Sequence, residues 1–130
     1  MRGFLVWAFA ASLAITAQAA DKQPAYAPQA EDSQLRRGNA FVESVTGGKG
    51  ELKLSGNLPT SCHKLRLTLD KKLDSRKRLV LQAWSVSDPK MMCAQMLQPF
   101  TVSVPVDKKI KRGSYVVVVN GQESGRVELK

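Results

Sequence analysis

Two groups of residues in this chain have types and spacings that could do chemistry. The first is Cys62-His63 together with Met91, Met92, Cys93 and Met96. Soft sulfur beside an imidazole suits a monovalent copper ion. Cysteines in an oxidising compartment pair instead, and methionine commonly fills irregular gaps in apolar packing. The reading taken is a Cys62–Cys93 disulfide with no metal and no cofactor. His63, Met91, Met92 and Met96 stand as the ligand set of an alternative, a periplasmic copper-handling protein. The second group is cationic: Lys49; Lys71, Lys72, Arg76, Lys77 and Arg78; Lys108, Lys109, Lys111 and Arg112; and, on one strand, Lys64 and Arg66. Clustered cations attract phosphate-bearing headgroups, anionic glycans or nucleic acid through salt-sensitive contacts. No aromatic residues interleave with them, which argues against a base-stacking, single-strand reading.

Catalysis is weakly supported, and the chain is read as a non-enzyme. Its single histidine adjoins a disulfide half. Ser61, Cys62 and His63 are neighbours in sequence, whereas a nucleophile and its base must face each other across a fold. Gly47-Gly48-Lys49-Gly50 is a turn between strands, not a phosphate loop running from a strand into a helix.

The elements that must position these groups are strands. From residue 39 onward the apolar period is two. The expected strands centre on Phe41 to Val45, Glu51 to Leu58, Leu65 to Leu69, Leu79 to Ser87, Phe100 to Val106, Tyr115 to Val119, and Val127 to Leu129. Asn120-Gly121 supplies the positive φ angles of a tight hairpin. Residues 89–98 break the rhythm and have room for one helical turn, with Met91, Met92, Met96 and Leu97 on its apolar side. Trp84 is assigned to the core, and Tyr115 to a tyrosine corner whose hydroxyl bonds nearby backbone. Seven short strands in about ninety residues predict an all-β, seven-stranded antiparallel immunoglobulin-like β-sandwich with one disulfide. In such a meander alternate loops fall at opposite ends. The loops holding Cys62 and Cys93 then share one end, as bridged Cα atoms within about 7 Å require. The three lysine- and arginine-rich loops share the other end as a basic pole, and Lys64 and Arg66 extend it up an outer sheet face.

Residues 1–19 read as a cleavable signal peptide: Arg2, an apolar run over residues 4–15, then Ala17-Gln18-Ala19. The run is well short of the roughly twenty residues that span a bilayer. The mature chain holds no transmembrane segment, and the protein is expected to be exported, periplasmic or secreted. Residues 20–38, rich in Pro, Ala, Gln and charge, read as a flexible tail with at most a short helix around residues 32–37. Residues 39–130 form the sandwich. The full chain carries a formal net charge of +9, high for its size and inviting to anionic partners.

Three stretches carry a resemblance. They are Gly56-Asn57-Leu58-Pro59-Thr60-Ser61-Cys62-His63, Cys93-Ala94-Gln95-Met96-Leu97-Gln98-Pro99-Phe100, and Gly113-Ser114-Tyr115-Val116-Val117-Val118-Val119-Asn120-Gly121. Over them the chain resembles a family of small exported bacterial proteins with an immunoglobulin-like sandwich. The resemblance implies that fold, export, and pairing of Cys62 with Cys93. It brings no activity.

The functional expectation is a non-enzymatic binding or structural module of the bacterial envelope, with anionic lipid headgroups or glycans at the basic pole. The alternative is a protein–protein module that adds a strand of an envelope protein at a sandwich edge.

Overall fold

The computed structural model describes Gly3 and residues 23–130. The signal-peptide reading, Gly3 apart, and the first residues of the tail lie outside the described residues. Eight strands follow a short 3-10 turn at Ala30–Gln34: β1 (Arg36–Gly38), β2 (Phe41–Gly47), β3 (Glu51–Leu58), β4 (Lys64–Leu69), β5 (Leu79–Ser87), β6 (Gln98–Pro105), β7 (Gly113–Val119) and β8 (Gln122–Leu129). They form two sheets. One holds β2, β3 and β6 in that order; the other runs β1-β5-β7-β8, with β4 on the far side of β5.

The period-two pattern explains both layers. Leu52, Leu54 and Leu58 of β3 and Val104 of β6 point inward from one sheet. Leu65 and Leu67 of β4, Leu79, Leu81 and Ala83 of β5, Val117 of β7, and Val127 and Leu129 of β8 meet them from the other. Burying that many aliphatic side chains, each contributing about 1.5–3 kcal/mol, supplies the main driving force. Cys62 and Cys93, on the β3–β4 and β5–β6 connections, are bonded with Cα atoms 5.8 Å apart. Closing the intervening loop stabilises the fold by roughly 3–4 kcal/mol in the chain-entropy picture.

Four expectations need correction. The strands number eight rather than seven, because Arg36–Gly38, inside the expected tail, pairs with Ser85–Ser87 of β5. Two arginines and a glycine show no alternation, so nothing local marks the strand. The sandwich is not antiparallel throughout: Leu79–Leu81 of β5 run parallel to Val117–Val119 of β7. One edge of β5 is thus shared, its last three residues by β1 and its first three by β7. Residues 89–98 form no helical turn ahead of β6, and Met92 is fully exposed. Trp84 is not in the core. It faces outward from β5, half-buried, with the Arg37 guanidinium 4.7 Å from its ring centroid.

The segment before β1 lies on the sandwich. The Leu67 N–H donates to the Tyr26 carbonyl (2.8 Å), covering the outer edge of β4, and Tyr26 packs against the core. On the opposite flank β2 closes onto β8. The Lys130 N–H donates to the Gly48 carbonyl (3.0 Å). Gly47 is required there, since a Cβ would overlap the Glu128 carbonyl.

Asn120 splints the shared edge of β5. With φ 51° it ends the parallel pairing. Its N–H bonds the Leu81 carbonyl, and its side-chain amide accepts from the Ala83 N–H and donates to the Ala83 carbonyl, both at 2.8 Å. The amide does the work of a strand residue in the gap between β7 and β1. Asn120→Gly keeps the backbone conformation but leaves the buried Ala83 groups unpaired. Urea unfolding should show a loss of about 1–3 kcal/mol; unchanged stability would mean the splint contributes nothing.

Candidate functional site

Three loops build one end of the sandwich, each shaped by its own turn chemistry. In residues 48–50, joining β2 to β3, the Gly48 N–H closes on the Glu51 carbonyl and Gly50 takes a positive φ of 66°. In residues 70–78, joining β4 to β5, the Asp74 carboxylate accepts from the backbone N–H groups of Arg76 (3.0 Å) and Arg78 (2.7 Å). It also takes the Arg78 guanidinium at 2.7 Å. The Arg78 N–H foremost, with the Arg78 side chain and the Arg76 N–H, holds this carboxyl below the ordinary aspartate range. In residues 106–112, joining β6 to β7, Asp107 accepts from the Lys109 N–H (2.9 Å). The Tyr115 hydroxyl donates to the Lys111 carbonyl, the expected tyrosine corner. The Val106 N–H bonds the Gly50 carbonyl, tying the third loop to the first. The acidic residues Asp74 and Asp107 thus serve as turn anchors.

The expected basic pole is assembled. Lys49, Lys108, Lys111 and Arg112, joined by Lys130, line a cleft of about 590 Å³ whose apolar wall includes Val106, Ile110 and Leu129. Lys71, Lys72, Lys77, Lys109 and Lys111 line a second, of about 420 Å³, with Leu73, Ile110 and Tyr115. Ile110 and Lys111 belong to both. Among the described residues the ion pairs join Arg66 to Asp32 and Arg78 to Asp74 and Glu123, and none engages a lysine. The pole's lysines are exposed and form no ion pair among the described residues; each cleft combines a cationic rim with an apolar floor, and Asp107 adds one carboxylate to the lining of the first. Such an arrangement has the chemistry to attract an anion with an apolar part. Lys130, Leu73 and Ile110 were missed in the sequence. Lys130 is one charge beyond the last strand, and the other two are single apolar residues inside charged loops.

Four expected members stand elsewhere or are engaged. Arg76, exposed on the loop of residues 70–78, lines neither cleft. Arg78 is held by Asp74 and Glu123. Lys64 is exposed on the outer face of β4. Arg66 does not belong to the exposed basic surface, and its case is a correction. Alternation placed it on the outer face correctly, but the segment before β1 covers that face. Its side chain is 3% exposed. Its Nε donates to the Asp32 carboxylate (3.0 and 3.2 Å) and its Nη1 to the Ala25 and Leu65 carbonyls (3.1 Å each). Its charge fastens the N-terminal segment and leaves nothing for a ligand.

The alternative ligand set lies at the opposite end. The disulfide removes both thiols, and no free cysteine remains among the described residues. The His63 Nδ1 is hydrogen-bonded to the Thr60 hydroxyl at 2.7 Å, which also accepts from the Cys62 N–H; this ties the loop together. Met91, Met92 and Met96 project into solvent. Among the described residues no group of three or more His, Cys, Asp or Glu side chains gathers. The two thiols are engaged in the disulfide, while the thioethers of Met91, Met92 and Met96 remain exposed.

The architecture is a two-sheet β-sandwich with a cationic end. The chain belongs to the ORF11 beta-sandwich domain family, whose profile matches residues 52–129, from β3 to the last residue of β8. No curated protein and no solved structure matches it. Among the described residues no helix is long and apolar enough to cross a membrane.

The Asp32–Arg66 pair makes a pH-dependent prediction. Hydrogen bonding from Arg66 foremost, then from the Gln29 N–H, holds the Asp32 carboxyl below its ordinary value. A carboxyl with a depressed folded-state pKa contributes stability above its unfolded value of about 3.9, lost as pH falls through the folded value. Asp32→Asn should therefore be less stable than the parent at neutral pH, with the gap closing below about pH 4. Urea unfolding across that range checks this; a gap independent of pH would show that the carboxylate charge is not what fastens Arg66.

Proposed function

We propose that the protein is an exported, non-enzymatic binding module of the bacterial envelope whose basic pole captures anionic components. Phosphate-bearing lipid headgroups are the preferred class, ahead of anionic glycans. One observation carries the reading: three loops converge to leave unpaired lysines and Arg112 around two clefts with apolar floors. Solubility alone asks only for scattered charge. A headgroup with its glycerol and proximal methylenes fits a cationic rim above Ile110 and Leu73, whereas a glycan has little use for that floor. Bound charge at such a surface contributes about 1 kcal/mol per lysine or arginine at low ionic strength.

The test is co-sedimentation with vesicles of anionic or zwitterionic phospholipid. Binding to the anionic vesicles is expected, fading as salt rises past physiological strength. Lys108/Lys111/Arg112→Ser should weaken it by roughly a hundredfold at low salt, while Lys64→Ser should leave it nearly unchanged. Equal binding by the parent and the triple variant, or equal affinity for both vesicle types, would overturn the reading. Competition by a soluble anionic polysaccharide at lower concentration than the lipid would reassign the ligand to glycans.

A further inference from the structure

Residues 91–106 contain no charged side chain, in a chain where 24% of residues are charged. This stretch is the larger part of the disulfide-end loop, after Asp88 and Lys90, and the whole of β6. The loop displays four large apolar side chains to solvent: Met91 61%, Met92 100%, Met96 70% and Leu97 61% exposed. Sheet edges ordinarily carry lysine or other charge to block association, and this chain has lysine in abundance yet places none here. The edge of β4 is covered by residue 26, and β2 is bulged between Val42 and Ser44. Among the described residues nothing covers the edge of β6, and its register with β3 has no bulge; it is blunted only at its two ends, by Pro99 and Pro105.

The outward groups of β6 follow from register. β6 pairs antiparallel with β3, Pro105 opposite Glu51 through to Gln98 opposite Leu58. One residue further along the same register, the Val106 N–H bonds the Gly50 carbonyl. Because hydrogen-bonded pairs alternate in an antiparallel ladder, the even-numbered residues of β6 bond to β3 and the odd-numbered ones face away. Thr101 and Ser103 therefore present free N–H and C=O groups at the edge, bracketed by Pro99 and Pro105, which have no N–H to offer.

We propose that this edge pairs with the same edge of a second copy, antiparallel about a two-fold axis, joining two three-stranded sheets into one of six. With Val102 at the axis, Thr101 of each copy exchanges both backbone hydrogen bonds with Ser103 of the other, and each Pro99 lies opposite a Pro105. Charge selects a second copy on this edge. Two chains of net charge +9 repel wherever their lysine-bearing loops meet. Antiparallel pairing of an uncharged strand sends the two basic poles to opposite ends of the assembly. The poles then lie more than a strand length apart, about 25 Å, several times the Debye length of about 8 Å at physiological salt. The Met96–Leu97 end of each strand lies beside the Pro105 end of the other, removing exposed apolar surface from water. The flanking prolines limit the ladder to Thr101–Ser103, and because the two-fold contact uses the same edge of both copies it closes as a dimer.

Sedimentation velocity over a concentration series in moderate salt tests this on the purified, oxidised protein. A monomer–dimer equilibrium is expected. Thr101→Lys, at an exposed position, should shift it toward monomer by at least tenfold in the dissociation constant. Thr101→Pro, which deletes an outward N–H and no bond to β3, should do the same. Amide exchange keeps the test independent of variant folding: in the parent, the Thr101 and Ser103 amides should be slowed at high concentration and fast on dilution. A monomer at every concentration overturns the proposal, and so does a dimer whose Thr101 and Ser103 amides exchange freely. Capture of an extended peptide at β6 by a strictly monomeric protein reassigns the edge to a different partner and overturns the second-copy assignment.

Discussion

β5 must satisfy more neighbours than a strand ordinarily has, and the layout of the molecule follows from how it does so. On one side it pairs with β4 along its length. On the other it is divided between β1, antiparallel and near the disulfide, and β7, parallel and near the basic end. Two strands of opposite direction cannot continue one ladder without a gap, and the Asn120 amide fills it. The parallel pairing of the last three residues of β7 with the first three of β5 sends the start of β7, and with it residues 106–112, toward residues 70–78. The antiparallel docking of β1 draws the preceding segment across the outer face of the same sheet. The lysine-rich clefts and the burial of Arg66 are both downstream of this divided edge.

The charged residues separate into two populations that composition cannot distinguish. Asp32, Asp74, Arg66 and Arg78 act inside the fold, their charges committed to backbone groups or to each other. The loop lysines are committed to nothing among the described residues. A burial cost explains the difference. Arg66 is out of water and needs a carboxylate and carbonyls around it, whereas a lysine at a loop tip keeps its hydration. Only the second population is available to a ligand, and most of it gathers at one end, with Lys90 on the disulfide-end loop an exception.

Much of the architecture was legible because alternation is a local signal. Glu51–Leu58, Lys64–Leu69 and Leu79–Ser87 lie where the pattern places them, and counting strand reversals correctly grouped three loops at one end and both cysteines at the other. What was illegible depends on contacts between residues far apart in the chain. Arg66 looks like any outward-facing strand residue until the segment holding Asp32 and Ala25 is laid over it. Trp84 reads as core because it is large and apolar, yet its face is covered by Arg37 rather than by the second sheet. β1 is three residues long and exists only because β5 offers it an edge. The parallel pairing of β5 with β7 leaves no trace in either strand's own pattern.

The docking of Tyr26 and β1 onto β4 and β5 also fixes an order of events during synthesis. A polypeptide emerges from its N-terminus, so the oldest segment of the described chain rests on strands made well after it. Until β5 is complete, that segment has nowhere to settle, and the newly formed rim of β4 and the Trp84 face remain bare. Long-separated pairings of this kind form slowly, and an unclosed rim is where a nascent sheet pairs wrongly with a neighbouring chain.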